Sequence, residues 1–265
     1  MLTAEQKTFF REQGYLLIRD VLSQDQVREL RAVVRPMFDH EDVQKHEYIS
    51  GGALPDLWNR HPELHWLLFL PKTLEILRSL LGQDFVYLRE SAAHLDGFGE
   101  WHKDTSQQER AGLRFQWDDD FQMLEFAYYL QDNNPEYGGG LDVEPRSHFS
   151  PDPFVRSRFL PARARRLMWK ASTLLRRSTI SIPNKEGDLV LFHFRLNHRS
   201  TPCRATHVPP EKQKIALFQA ASANNRHVEL YQRFLATRSD YGYLDKFTYS
   251  ESLLEQARKA NVVLG

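Results

Sequence analysis

Residues 187–200 read GDLVLFHFRLNHRS, and this stretch carries the clearest signs of both a β fold and a polar site. A Gly-Asp turn leads into an apolar strand, and His198 follows just past the end of that strand. Side chains at strand ends that face the mouth of a β-barrel are well placed to form a site. His198 is therefore a candidate metal ligand. His193 lies within the aromatic run and is expected to be a hydrogen-bonded core histidine.

Short runs of aliphatic and aromatic residues recur along the middle of the chain. They lie at 85–88, 124–130, 141–143, 188–194 and 215–221. Clusters of Gly, Pro, Asn and Asp, including 133–135 and 138–140, separate them as turns separate strands. Helical patterns come before and after these runs. We therefore expect a mainly β fold, a double-sheet jelly roll with flanking helices.

The first forty residues predict a helix, a strand and a second helix. Thr3 with Gln6, and Ser23 with Gln26, each match the capping box that begins a helix. Between the two helices, residues 15–18 form a short apolar run that predicts a strand.

One domain is predicted, because 265 residues suit a single large domain and no repeat or low-complexity linker is visible. Its predicted parts are N-terminal helices at 1–82, a jelly-roll core at 83–225 with a basic insertion at 151–180, and a C-terminal helical segment at 226–265. The insertion has eight basic residues and one acid. It is either a solvated surface loop or a lid near the mouth of the site, and both interpretations stay open.

The composition is that of an ordinary globular protein, with 41% hydrophobic and 26% charged residues. Basic and acidic residues number 35 each, so no net charge favours binding to nucleic acid or to an anionic membrane. The only cysteine, Cys203, excludes an intrachain disulfide. No apolar leader and no apolar run long enough to cross a bilayer are visible, so a cytoplasmic protein without membrane or nucleic-acid partners is expected.

His-x-Asp occurs three times, and this spacing can place two ligands on one face of an extended chain. With a distant second histidine, the pair can hold Fe(II) and leave positions open for cosubstrate and oxygen. The pair at 40–42 lies in a charged run and is expected to be solvated. The pair at 94–96 ends a core strand, where His94 suits a core or supporting role. The pair at 102–104 follows a Gly-containing turn and Trp101, which favours His102 and Asp104 as ligands.

Four segments in order resemble the phytanoyl-CoA dioxygenase family of iron/2-oxoglutarate oxygenases. They are 10–18, the Trp-His-x-Asp motif at 101–104, 139–148 and the strand leading to the distal histidine at 187–198. The resemblance covers most of the chain from 10 to 225, and four ordered motifs are far more specific than any one of them.

The resemblance implies a cupin-like double-stranded β-helix with Fe(II) held by His102, Asp104 and His198. It also implies that 2-oxoglutarate and O2 are cosubstrates, and that succinate and CO2 are released while a small-molecule substrate is oxidised. Hydroxylation, in natural-product tailoring, is the expected reaction. Halogenation is not expected, because Asp104 leaves no ligand position vacant for chloride.

Two departures from the family pattern concern the turn at Arg146 and the cosubstrate anchor. Arg146 stands where members have Gly, which is expected to alter a turn and not the chemistry. The family's anchoring Arg is absent, and Lys214 heads the strand where that Arg would fall, with Ser200 as an assisting hydroxyl. Arg204 is the alternative anchor, and Arg89 is a further candidate contact to the cosubstrate.

Two other function classes stay open at this point. The same three ligands could bind zinc in a hydrolase, or the jelly roll could be a non-catalytic protein that binds a small molecule or anion. The charge of the substrate is also open, because the basic insertion favours an anion whereas the acidic run at 118–120 favours a cation.

Overall fold

The computed structural model describes residues 1–40, 43, 52–97, 101–151, 164, 167, 171 and 178–265. All eight basic residues of the predicted insertion lie outside the described residues: Arg156, Arg158, Arg163, Arg165, Arg166, Lys170, Arg176 and Arg177. The prediction of a lid or surface loop at 151–180 therefore stays a prediction.

The α-helices pack around the outside of the sheets. They span Ala4–Gln13, Gln24–His40, Leu57–Arg60, His65–Leu68, Pro71–Leu81, Ser106–Arg110, Arg226–Leu235 and Glu251–Ala260. Both predicted capping boxes are present: Gln6 N–H donates to Thr3 Oγ1 over 3.2 Å, and Gln26 N–H donates to Ser23 Oγ over 3.2 Å. Among the helices of the described residues, none is long and apolar enough to cross a membrane.

Within the described residues, ten strands form the sheets. They are β1 Tyr15–Ile18, β2 Ala53–Pro55, β3 Val86–Leu95, β4 Met123–Tyr129, β5 Leu141–Glu144, β6 Ile180–Ser181, β7 Leu189–His193, β8 Asn197–Ser200, β9 Ile215–Ser222 and β10 Val263–Leu264. The predicted strands are all present. Four short strands were not predicted: β2, β6 and β10 have only two or three residues, too few to show an alternating pattern, and the four residues of β8 are all polar or charged.

The strands form two sheets, as the prediction of a jelly roll requires. The larger sheet has the order β1-β7-β4-β9-β3-β10, with β2 also paired to β3, and the smaller sheet has the order β6-β5-β8. All pairs are antiparallel except the short parallel pair of β10 with β3.

The two ends of the chain contribute strands as well as helices. β1 and β2 belong to the segment predicted as N-terminal helices at 1–82, and β10 belongs to the segment predicted as helical at 226–265. All three pair with strands of the core sheet. Backbone pairing therefore joins both ends of the chain to the core sheet.

The faces of β4 show where the site must lie. Phe126 and Tyr128 pack into the large cluster that includes the outer helices, whereas Ala127 and Tyr129 pack with residues of β5 from the smaller sheet. Successive side chains of a strand point to opposite faces. Residues 125, 127 and 129 therefore face the space between the two sheets, which is called the inter-sheet space below.

Candidate active site

His102 and His198 lie side by side because their backbones pair. The N–H of His102 donates to the carbonyl of His198 over 3.0 Å, and the N–H of His198 donates back over 2.9 Å. This antiparallel bridge places residue 102 beside β8, and the centroids of the two imidazole rings lie 4.2 Å apart. The segment that follows Trp101 is thus paired with β8, the strand that carries the distal histidine.

Asp104 completes a group of three ligand atoms that all lie within 4.8 Å of one another. Its Oδ1 lies 3.6 Å from Nε2 of His198 and 3.9 Å from Nε2 of His102. In the part of the chain that the structure describes, its Oδ2 is buried without a hydrogen-bond partner, which is costly for a carboxylate unless something else binds it. Two imidazoles and one carboxylate are the donors that Fe(II) oxygenases use, so the donor set and the unpartnered oxygen both fit a divalent iron.

Burial sets the protonation of these ligands. Desolvation raises the pKa of the Asp104 carboxyl well above its usual value, with Glu90 adding to the effect and Arg238 opposing it. Desolvation lowers the pKa of His198, and the neighbouring His102 lowers it further, so that His198 is neutral near pH 7. Nδ1 of His198 lies 3.0 Å from the carbonyl of Leu196. Donation of a proton from Nδ1 to this carbonyl leaves the Nε2 lone pair facing the cluster.

Lys103, between the two ligands of the His-x-Asp pair, is almost fully buried and points the other way. Its Nζ donates to the carbonyls of Ser147 and Ser150, the latter over 2.6 Å. The bonds hold the 102–104 segment against the turn at 147–150. Sequence reasoning missed this role, since a lysine flanked by two polar ligands gives no sign of burial.

Lys214 and Ser200, both predicted to contact the cosubstrate, touch each other. Nζ of Lys214 donates to Oγ of Ser200 over 2.7 Å and to the carbonyl of Gly140 over 3.4 Å, and it lies 5.6 Å from the ring centre of Tyr129. Burial lowers the pKa of Lys214 to about 8, although Asp96 and Asp142 oppose the shift. A buried ammonium therefore lies two residues along β8 from His198.

The alternative anchor, Arg204, is exposed on a loop, and its backbone N–H donates to the carbonyl of Glu136. Arg89 contacts a different part of the molecule from Lys214. Its Nε donates to the carbonyl of Gly265 over 3.0 Å, and its guanidinium lies 5.3 Å from the ring centre of Phe247. Neither arginine is brought to the Lys214 site, and Arg89, predicted as a further contact to the cosubstrate, bonds to the backbone oxygen of Gly265.

Three other histidines, on two strands and at a helix end, lie outside the group of candidate ligand atoms. His94 lies on β3, with its ring 4.6 Å from that of Phe218. His193 accepts a hydrogen bond from the N–H of Arg195 over 3.0 Å at Nδ1, as expected for a core histidine. His40 ends the helix Gln24–His40, far along the chain from the site strands.

The turn at Arg146 explains why a glycine suits this position. Arg146 has a φ of 68°, in the left-handed region that glycine adopts most easily. Its N–H donates to the carbonyl of Gln13 over 3.0 Å, so the backbone conformation is fixed by the first helix. Arg146 therefore keeps the left-handed conformation that glycine adopts most easily, and the three candidate ligand atoms still lie within 4.8 Å of one another.

Two glutamates near the metal ligands were not predicted. Glu125 lies on the inter-sheet face of β4, opposite Phe192 of β7, whose ring is 4.6 Å from that of His198. Desolvation, Asp104 and Glu90 all raise the pKa of Glu125. Glu90 accepts hydrogen bonds from the hydroxyls of Tyr231 and Tyr241. Neither glutamate belongs to a motif. Acidic residues in strands are common at surfaces, so nothing in the sequence marked these two as site residues.

A second group of possible ligand atoms is formed by Asp118, Asp120 and His227. Here an arginine already supplies the positive charge: Arg226 lies 2.8 Å from Asp118 and 3.5 Å from Asp120. Nε2 of His227 lies 3.1 Å from Asp118. The acidic run that suggested a cationic substrate is therefore paired with basic side chains of the chain itself.

Comparison with known proteins adds a family and a fold. The family model described as Phytanoyl-CoA dioxygenase (PhyH) matches residues 10–208. No curated protein matches the chain. Among solved structures, the carbocyclase SnoK from nogalamycin biosynthesis has a TM-score of 0.59 at 18% identity, with 86% of this chain and 91% of that chain covered.

Two further structures have the same fold. EctD from S. alaskensis has a TM-score of 0.60 at 19% identity, with 84% of this chain and 77% of that chain covered. EvdO2 from Micromonospora carbonacea has a TM-score of 0.56 at 17% identity, with 84% and 92% covered. The jelly-roll prediction is confirmed by these likenesses. Since the family model covers most of the chain, the chain belongs to the phytanoyl-CoA dioxygenase family of enzymes that use iron and 2-oxoglutarate.

Proposed function

We propose that this oxygenase hydroxylates a C–H bond of a small molecule and releases succinate and CO2 from 2-oxoglutarate. In this proposal His102, Asp104 and His198 hold Fe(II), and Lys214 with Ser200 binds the far carboxylate of 2-oxoglutarate. The observation that carries it is the convergence of three ligand atoms within 4.8 Å, one of them on a carboxylate whose other oxygen is buried with no partner among the described residues.

The protein's part in the reaction is to hold and orient. Bound iron with 2-oxoglutarate and O2 would supply the oxidising power that cleaves the C–H bond. His198 keeps its Nε2 toward the ion because Nδ1 bonds to Leu196. The ring of Phe192 packs beside His198 and shields this part of the site from water.

The third N–H donor of Lys214 supports the proposal that this residue binds 2-oxoglutarate. An ammonium has three N–H donors, and two of them are directed at Ser200 and Gly140 in the part of the chain that the structure describes. The third can donate to a carboxylate as a point charge. Lys214 is preferred to Arg204 because Lys214 is buried beside β8, whereas Arg204 is exposed on a loop.

The solved structures support the choice of iron and 2-oxoglutarate as the bound groups. EctD has been crystallised with bound Fe, and with 2-oxoglutarate and 5-hydroxyectoine, and EvdO2 has been crystallised with 2-oxoglutarate. SnoK acts in nogalamycin biosynthesis, which agrees with a place in natural-product tailoring.

The test is an anaerobic titration of the purified protein with Fe(II) and 2-oxoglutarate, followed by visible absorption. We expect a charge-transfer band that needs both additions, then slow release of succinate once oxygen is admitted. A zinc-dependent hydrolase or a non-catalytic binding protein would show no release of succinate that depends on iron. Absence of the band and of succinate would refute the proposal.

A further inference from the structure

The inter-sheet space has opposite charges at its two ends, and the first end is basic. Along β4, Glu125, Ala127 and Tyr129 face this space, and each step of two residues advances about 6.6 Å. Tyr129 lies beside the ammonium of Lys214. On β8, Ser200 bonds to the same ammonium, and His198 lies two residues further from it.

The other end is acidic and lies beyond the metal ligands. Glu125 is paired across the sheet with Phe192 on one side and with Ala220 on the other. Cross-strand partners share a face, so Glu125, Phe192 and Ala220 form one row, and the ring of Phe192 lies 4.6 Å from that of His198. The methyl group of Ala220 leaves room beside the carboxylate.

Glu90 adds a second carboxylate at this end. It lies next to Ser91, whose cross-strand partner Gln219 precedes Ala220. The hydroxyls of Tyr231 and Tyr241 hold its two oxygens. By contrast, the partly buried carboxylate of Glu125 accepts no hydrogen bond from the side chains or backbone that the structure describes. A carboxylate in such surroundings needs a donor or a cation.

Iron and 2-oxoglutarate, once bound, would not balance the charge of an ionised Glu125. Two positive charges on iron and one on Lys214 equal the charges of Asp104 and of the two carboxylates of 2-oxoglutarate. Of the groups beyond them, Glu90 and Glu125 are acidic, and Arg238 is the cation whose charge acts on Asp104. Both glutamates lie on the side of the metal ligands away from Lys214, so a cation bound there would favour their ionised forms.

We propose that the substrate carries a protonated amine, and that Glu125 binds this amine beside the metal ligands. The proposal rests on the proposed function and names the class of its substrate. Glu125 is thus a specificity-determining residue: it places the neighbouring C–H bonds of the amine toward His198 and rejects anionic molecules by repulsion.

The experiment measures the binding of three probes of similar shape: cyclohexylammonium, cyclohexanol and cyclohexanecarboxylate. Anaerobic protein loaded with Fe(II) and 2-oxoglutarate is titrated with each probe, and binding is followed by saturation-transfer NMR. We expect cyclohexylammonium to bind about 10- to 100-fold more tightly than cyclohexanol, as a charge-assisted hydrogen bond provides, and the carboxylate to bind most weakly.

Variants then locate the cause. Glu125→Gln, of the same shape, should remove the preference for the ammonium, and Glu125→Asp should retain part of it. Glu12→Gln, at an exposed glutamate of the first helix, is the matched control and should behave like the parent protein. Equal binding of cyclohexylammonium and cyclohexanol, tighter binding of the carboxylate, or an unchanged preference in Glu125→Gln would overturn the proposal.

The same samples separate this proposal from the one it rests on. The charge-transfer band of iron with 2-oxoglutarate forms before any probe is added, so its absence counts against the proposed function. A normal band without preference for the ammonium counts against the amine alone. Circular dichroism of Glu125→Gln checks that the variant is folded.

Discussion

Two groups of acidic and histidine side chains look alike by distance and differ in what balances their charge. In the first group, Asp104 has a buried oxygen without a partner among the described residues, and the neighbouring His198 is neutral near pH 7. In the second, Arg226 contacts both Asp118 and Asp120. Proximity of ligand atoms is common to both groups, so the unmet need for a cation distinguishes a metal site from a network of ion pairs.

The largest expected effect is the loss of iron from the first group. Asp104→Ala and His198→Ala should each abolish the charge-transfer band and the turnover, because two protein ligands hold Fe(II) weakly. Anaerobic titration with Fe(II) measures this. His40→Ala is the control and should bind iron normally. If His94→Ala lost the band while His102→Ala kept it, the other His-x-Asp pair would be the ligand pair.

The next effect concerns the cosubstrate. Lys214→Ala should raise the KM for 2-oxoglutarate about 10- to 100-fold, because a charge-assisted contact contributes roughly 1.5–3 kcal/mol. Binding of Fe(II) should hardly change, since Lys214 is not a proposed ligand. Arg204→Ala, measured in parallel, is the matched control. A loss of 2-oxoglutarate binding only in the Arg204 variant would move the anchor to the loop.

The third effect follows from the pKa of Lys214, which burial lowers to about 8. Below this pH the side chain is an ammonium that attracts the dianion, and above it the neutral amine does not. The affinity for 2-oxoglutarate should therefore fall as pH rises through about 8, by up to about tenfold per unit. Isothermal titration between about pH 6.5 and 9.5 checks this. Lys214→Arg keeps its charge and should remove the dependence, so an equal decline in that variant would contradict the assignment.

The smallest effect is expected in the second group. Asp118→Asn combined with Asp120→Asn should leave the iron content and the charge-transfer band unchanged. The free energy of unfolding should fall by about 1 kcal/mol or less, because the side chain of Arg226 is 64% exposed and exposed ion pairs contribute little. Urea denaturation measures the change. A loss of iron from this variant would show that proximity alone is a better guide than charge balance.

The sequence predicted the site where polar residues follow apolar strands. His198 was proposed for this reason, whereas Lys214 was proposed because it heads an apolar strand where the family's anchoring Arg would fall. The turn before His102 favoured the histidine whose backbone pairs with His198. β8 was missed because its four residues, Asn197–Ser200, are polar or charged and resemble a loop. Its pairing with β5 depends on contacts between distant parts of the chain, which no local pattern contains.

The interpretation of Arg89 shows a different limit. Strand alternation assigns faces only while the register is regular, and β3 shifts register between Tyr87 and Ser91. Arg89 and Glu90 both lie within this irregular stretch, so neither face could be assigned from the sequence. The structure directs Arg89 to Gly265 and Glu90 to the two tyrosine hydroxyls.

The buried Lys103 has a consequence for how the family can diverge. Its ammonium is held by the carbonyls of Ser147 and Ser150, and backbone carbonyls are present whatever side chains those positions carry. Mutations at 147 and 150 can therefore accumulate without loss of these two bonds, provided the turn keeps its shape. A shorter residue at position 103, by contrast, would lose both bonds, because it is the ammonium of Lys103 that donates them. Position 103 is thus expected to change slowly among homologues, although it lies between two proposed ligands and is not one itself.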